Sequence, residues 1–196
     1  MTDELIKSIE NVLYLDIETQ HIMSDFPGGW KNQENYKNIR IAELGTLLNG
    51  EYKTFEEDNV TDLIFDLAKV NTIVGHNISQ FDYAVLKYYY GNYVINKLQQ
   101  KTFDTMLEFQ KFTPKAGWVA LDDIAQRNFG MKKTEDSIKI PEMWRNGEKE
   151  KVKQYLLNDL KMTEQFYLHG KKGHNFKFEY KEYGKSYGER DVFVKW

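Results

Sequence analysis

Residues 12–18, VLYLDIE, place the strongest constraint on how this chain folds. The segment is short, β-branched and aromatic, and apolar at alternating and intervening positions alike until its acids. That pattern reads as a strand buried in the middle of a sheet. Its end carries Asp16 and Glu18, and strand alternation puts both side chains on one face. Two neighbouring carboxylates at a buried strand end repel each other and are costly to desolvate. Something positive should compensate them, and a hard divalent cation is the obvious candidate. A D-x-E pair alone is common, and a solvated strand end accounts for it equally well.

The rest of the chain supplies partners for that strand. Residues 39–48 and 51–55 flank Asn49-Gly50 and read as a β-hairpin, since Asn-Gly between two apolar runs is the strongest short hairpin signal. Asn59 or Thr61 is placed to cap a helix reaching about residue 70. Residues 72–75 form a fourth short strand, and a fifth ends at Phe103. Helices are expected over 81–90, stopped by Gly91, over 104–112, and over 119–129, stopped by Gly130. The longest helix runs over 148–169, with Gly170 as its C-cap. Pro27, Pro114 and Pro141 are all expected in loops. Strands come first and then alternate with helices, which predicts an α/β fold with a mixed five-stranded sheet and flanking helices. The tail, 171–196, differs from the body over 1–170. It interleaves aromatic and charged residues, turns near 184–188, and is expected to form a C-terminal β extension, either a hairpin or an added edge strand.

Composition removes several classes of function. At 196 residues the chain fits one domain of generous size. Zero cysteine excludes disulfides, thiolate zinc sites, iron–sulfur clusters and cysteine nucleophiles. His21, His76, His169 and His174 form no zinc-protease signature. The acidic start, Met1-Thr2-Asp3-Glu4, is followed by no apolar run, so neither a signal peptide nor a membrane span is expected, and a cytoplasmic location follows as an expectation. A formal charge of −3 argues against a protein that coats nucleic acid by bulk charge, although not against one that handles it locally. The tail is the positive part, with seven basic residues against four acids from 170 to 196.

Two further clusters carry acids. In residues 75–82, GHNISQFD, Asp82 opens a helix that follows a strand, at the sheet edge where α/β sites form. It reads equally well as a first-turn acid favoured by the helix dipole. In residues 155–159, YLLND, Tyr155 and Asp159 stand at i and i+4 and share one helix face, beside the apolar stripe of Val152, Leu156, Thr163 and Phe166.

The three clusters in order, D-x-E, N-x-x-x-F-D and Y-x-x-x-D, resemble the exonuclease motifs of the DEDD, or DnaQ-like, superfamily of 3′–5′ exonucleases, which have the RNase H-like fold. Residues 15–19 (LDIET) resemble the first motif, and 77–82, followed by Leu86, the second. Residues 155–159 resemble the third in its tyrosine form, DEDDy, since the histidine form would need His where Gln154 stands. The first two motifs are most similar to proofreading exonuclease domains of family B DNA polymerases. The whole chain is most similar to stand-alone ribonuclease-H-like exonucleases.

The resemblance implies a metal-dependent exonuclease that releases nucleoside monophosphates from a 3′ end, single-stranded DNA being favoured over RNA. It implies two divalent ions, Mg²⁺ or Mn²⁺, held by Asp16, Glu18, Asp82 and Asp159. Asp16, Glu18 and Asp159 would hold one ion, and Asp16 with Asp82 the other. Four carboxylates balance two such ions, and oxygen ligands suit these metals. Tyr155 would orient or help deprotonate the attacking water; a free phenol titrates near 10, which favours orienting. Backbone near Thr19 would meet the 3′-hydroxyl, and Asn77 would support substrate or Asp82. A polymerase or helicase partner is not readable.

Other residues have two readings each. Trp30 either stacks on a terminal base or is a surface aromatic closing its loop. His76 reads as a packed or hydrogen-bonded histidine rather than a ligand. His169 and His174 read as cations favoured by a helix end. Asp104-Thr105 reads as a helix cap. The tail either covers a sheet edge or grips a single strand. Two other functions fit the sequence: a non-catalytic nucleic-acid-binding module of the same fold, and a nuclease for short or cyclic oligonucleotides.

Overall fold

The computed structural model describes residues 11–196, so the acidic start at residues 1–4 lies outside the described residues. A five-stranded sheet forms the centre, in the order β3-β2-β1-β4-β5. Its strands are β1 (Val12–Thr19), β2 (Ile41–Leu48), β3 (Glu51–Phe55), β4 (Thr72–Gly75) and β5 (Thr102–Asp104). The β1–β2 and β2–β3 pairs are antiparallel, whereas β1–β4 and β4–β5 are parallel. The strand with the two acids is therefore the middle of a mixed sheet, covered on both faces.

Alternation sorts its side chains. Leu13, Leu15 and Ile17 enter a core with Leu63, Leu67, Val85 and Leu86. Val12 and Tyr14 point the other way and pack with Leu160, Tyr167 and Leu168. Asp16 and Glu18 continue that second face. The helices are α1 (Asn35–Asn38), α2 (Ile64–Leu67), α3 (Asp82–Gln99), α4 (Thr105–Phe112), α5 (Leu121–Phe129), α6 (Ile140–Arg145) and α7 (Lys149–Lys172). Among the described residues no helix is long and apolar enough to cross a membrane.

Gly45 sets how deeply α7 seats. It stands opposite Asp16 in the β1–β2 register. A Cβ there would come within 2.8 Å of the Leu156 side chain, so the missing side chain lets α7 lie close over the sheet.

Several local expectations need correction. Gly91 interrupts α3 with φ 77° and ψ 159°, but the helix resumes to Gln99. Ile95 and Leu98 continue the buried face beyond the kink, and that burial outweighs the break. Gly170 lies inside α7, and Gly173, at φ 77°, ends the helix instead. Gly170 is needed for space: a Cβ would fall 2.2 Å from the Trp196 indole. Pro141 occupies the first turn of α6, where its lost N–H has no helical partner to miss. Before Ile64 the chain takes a 3-10 turn, Val60–Leu63, and Asn59 makes no side-chain cap bond there. Of the two readings of the tail the hairpin holds: β6 (His174–Glu182) pairs with β7 (Lys185–Val194) apart from the central sheet. Phe176, Phe178 and Tyr180 of β6 share a core with Phe109, Ile124 and Phe166.

Candidate active site

Two elements that are distant in sequence meet at the end of β1. Asp16 and Glu18 come from the strand and Asp159 from α7, and one ligand oxygen from each lies within 4.8 Å of the others. Tyr155 stands one helical turn before Asp159 and hydrogen-bonds it. Asp82, the first residue of α3, lines the same cavity but lies outside the three-carboxylate group. Its charge is nonetheless felt at Glu18, and the charge of Asp16 is felt at Asp82.

The loop that delivers Asp82 is pinned by Asp104. The Asn77 and Ser79 N–H groups donate to the two carboxylate oxygens of Asp104, each at 3.0 Å. Asp104 also caps α4 by accepting from Met106 and Leu107. Asn77 sits at φ 61°, a left-handed conformation that asparagine tolerates better than most residues. Asp104 is thus a cap, as expected, and also the anchor of the loop before α3.

Lys133 is the residue that sequence reasoning missed. Its Nζ lies 2.7 Å from the Tyr155 hydroxyl and 2.8 Å from Asp159 Oδ2. No spacing rule connects a lysine in a loop after Gly130 to these carboxylates. Charge balance was the available signal, because a cluster of buried acids demands a cation. Burial works to lower the Lys133 ammonium, but Asp159, Asp16 and Glu18 together hold it above the usual lysine value.

The carboxylates all titrate high. Burial, then the charge of Asp159, lifts Asp16 from the usual 3.8 to about 7, with Lys133 opposing. Burial and Asp16 push Glu18 well up. Burial and Asp16 do the same to Asp82, and burial raises Asp159 against the pull of Lys133. Burial and the acids around it move the Tyr155 phenol far above its ordinary value, so it keeps its proton through the neutral range.

The residues fit a divalent cation. Every donor in the group is a carboxylate oxygen, and Asp159 Oδ1 and Asp82 Oδ1 are buried without a hydrogen-bond partner. Such orphaned acceptors are expected where an ion belongs.

Above these residues opens a cavity of about 610 Å³, walled by Trp30, Tyr36 and Phe81 on one side. Trp30 is exposed, its ring 5.8 Å from Phe81. A second cavity of about 640 Å³ shares Asp16, His76, Trp118, Lys133 and Asp159 with the first, so the two are lobes of one cleft. Trp118 at their junction was also not foreseen. Thr19 lines the first lobe, with its hydroxyl donating to the His21 carbonyl at 2.7 Å. His76 is structural, as expected: its Nε2 meets the Val119 carbonyl at 2.9 Å, and burial lowers it to about 4. His169 departs from its expected cationic role, because burial lowers it and Nε2 bonds the Asn175 carbonyl.

No family model and no curated protein matches the chain. Among solved structures, the family B DNA polymerase from the hyperthermophilic archaeon Pyrobaculum calidifontis is similar over 81% of this chain, with a TM-score of 0.58. The fold is RNase H-like. Sequence identity is 17%, and the match covers 24% of the polymerase chain. The likeness is one of architecture, and the chemistry has to be argued from the site.

Proposed function

We propose that the chain is a metal-dependent 3′–5′ exonuclease of the tyrosine DEDD type, releasing nucleoside monophosphates from single-stranded DNA. The observation that carries this reading is the meeting of Asp16, Glu18 and Asp159 beneath an open cleft, with two buried carboxylate oxygens left without partners. In this reading residues 1–170 are the nuclease domain and 171–196 its extension. Four acids gathered with a tyrosine and a lysine, Asp82 and Asp159 buried and Asp16 and Glu18 half-buried, suit phosphodiester hydrolysis better than simple binding, which has no use for so costly a cluster.

Asp16, Glu18 and Asp159 would hold one Mg²⁺ or Mn²⁺, and Asp82 with Asp16 a second. Such ions supply positive charge against the phosphoryl oxygens and the departing 3′-oxygen. The protein's own groups do the rest. In the metal-free site burial and the neighbouring acids hold the Tyr155 phenol above its ordinary value, which favours a role in orienting the attacking water by a hydrogen bond. Lys133 places a fixed positive charge 2.7 Å from that hydroxyl. Trp30 and Phe81, which line the cleft, would offer an apolar wall for the terminal base, and the backbone near Thr19 would meet the 3′-hydroxyl. Asn77 Oδ1, buried and without a partner, is available to the substrate or to Asp82.

A 5′-labelled oligonucleotide incubated with Mg²⁺ or Mn²⁺ tests the assignment. A ladder shortening from the 3′ end is expected, with Asp16→Ala slower by at least about a hundredfold. Equal degradation by both proteins would sink it.

A further inference from the structure

The two lobes of the cleft differ in the charge of their walls. The second lobe is lined by Asp122, Glu135 and Asp136, which repel a phosphate backbone. Trp118, 58% exposed, lines both lobes and stands at their junction. The neighbouring Gly117 N–H donates to the Lys181 carbonyl of β6 at 2.8 Å, which ties this lip to the far half of the C-terminal hairpin.

That half of the hairpin carries an alternation of rings and cations. Lys185 Nζ lies 5.5 Å from the Tyr187 ring, Tyr187 lies 5.9 Å from Tyr180, and the Arg190 guanidinium is 3.7 Å from Tyr180. The hairpin's acids are largely engaged. Arg127 holds Glu179 and Glu189, and Glu182 accepts from the Tyr180 hydroxyl. Among the described residues, Lys181, Lys185 and Arg190 form no ion pair. At the tip, Tyr183 is 99% exposed and sits at φ 49°, a left-handed conformation that costs a bulky side chain more than Asn or Gly. A ring kept at a strained, fully solvated turn buries nothing within this chain.

We propose that the hairpin tip, Tyr183, Lys185 and Tyr187, together with Trp118, is a track for single-stranded nucleic acid leading into the cleft. Rings that stack on any base and cations that follow the backbone are what a sequence-tolerant single-strand surface requires. The proposal rests on the nuclease reading, because it places the strand's 3′ end at the carboxylates. It adds a length preference: a polymer that reaches the hairpin is held more tightly than a dinucleotide that ends inside the cleft.

The test compares the wild-type chain with the triple variant Tyr183→Asn, Lys185→Gln, Tyr187→Ala. Asparagine suits the left-handed turn, and circular dichroism checks that folding is preserved. Binding of a labelled thymidine 20-mer is followed by fluorescence anisotropy in EDTA across a salt series. Cleavage of the 20-mer and of a thymidine dinucleotide is followed in Mn²⁺. The variant is expected to bind the 20-mer at least about tenfold more weakly. Its slope of log affinity against log salt falls by about 0.7 for the lysine removed, and dinucleotide cleavage is unchanged. Unchanged 20-mer affinity and slope overturn the track, and so does an equal loss on both lengths. If the wild type binds the 20-mer and the variant does not, while neither cleaves either substrate, the track stands and the nuclease reading falls.

Discussion

Asp16 takes up a proton far more readily in the folded chain than in the unfolded one. Its folded pKa is about 7 against the usual 3.8, and Glu18 and Asp82 are raised as well. Between those values the native state binds more protons than the unfolded state, so stability falls as pH rises. These groups therefore stabilise the metal-free protein most at and below about pH 4, and its thermal midpoint is expected to fall as pH rises through about 7. Excess Mn²⁺ should raise the midpoint at pH 8 and have little effect at pH 5, where protons compete for the same oxygens. Asp16→Asn, which removes the titrating charge, should flatten the pH dependence of the metal-free protein; calorimetry across this range decides. At Tyr155 the prediction concerns rate. Tyr155→Phe keeps the buried ring but loses the hydroxyl between Lys133 and Asp159. A kcat lower by about 10²–10⁴-fold with little change in KM is expected if the hydroxyl orients water. An unchanged kcat would remove Tyr155 from the mechanism.

Among the elements, α7 and the loop before α3 carry the sharpest consequences. Gly170→Ala puts a methyl group into the Trp196 indole, which must move out of a packed core. Overpacking of this kind costs about 1–3 kcal/mol, measurable by urea unfolding. Asp104→Ala removes the cap of α4 and both anchors of the Asn77–Ser79 turn. A loss of about 1–2 kcal/mol from the cap is expected, with a fall in kcat because Asp82 is no longer held in place. These two residues also show where sequence reading stops. All five strands of the sheet could be seen from β-branched runs, the Asn-Gly turn and alternation, because strand patterns are local. The Gly170 role could not be seen, since a glycine at a helix end and a glycine beneath a distant indole look alike in sequence. Lys133 was hidden for the same reason: its meaning lies in an electrostatic demand made by residues far along the chain. Asp16, Glu18, Asp82, Asp159 and Tyr155 could be seen only as an ordered set of motifs resembling a known family, each motif being weak alone, and the structure brings Asp16, Glu18 and Asp159 together.

For the whole molecule, the hairpin is joined to the body through its core and not through the sheet. Phe176 and Phe178 pack against Phe109 and Phe166, and α5 closes the outer edge of β6 through Asp123 and Asn128. The hairpin and the body should therefore unfold together. Phe176→Ala is expected to cost about 3–5 kcal/mol and to shift a single cooperative transition. Two separated transitions by far- and near-ultraviolet circular dichroism would contradict this. A related point follows from the position of β1. Its acids meet Asp159 only when α7 lies across the finished sheet, so the carboxylate group joins residues 16 and 159 of the chain. Contacts of such long range form late in folding, because loop closure must come first. A chain part-way through synthesis or refolding thus carries the acids but not the arrangement. The carboxylate group is completed only once α7 has seated, so a metal that binds there would report on the finished fold and not on the presence of the acids.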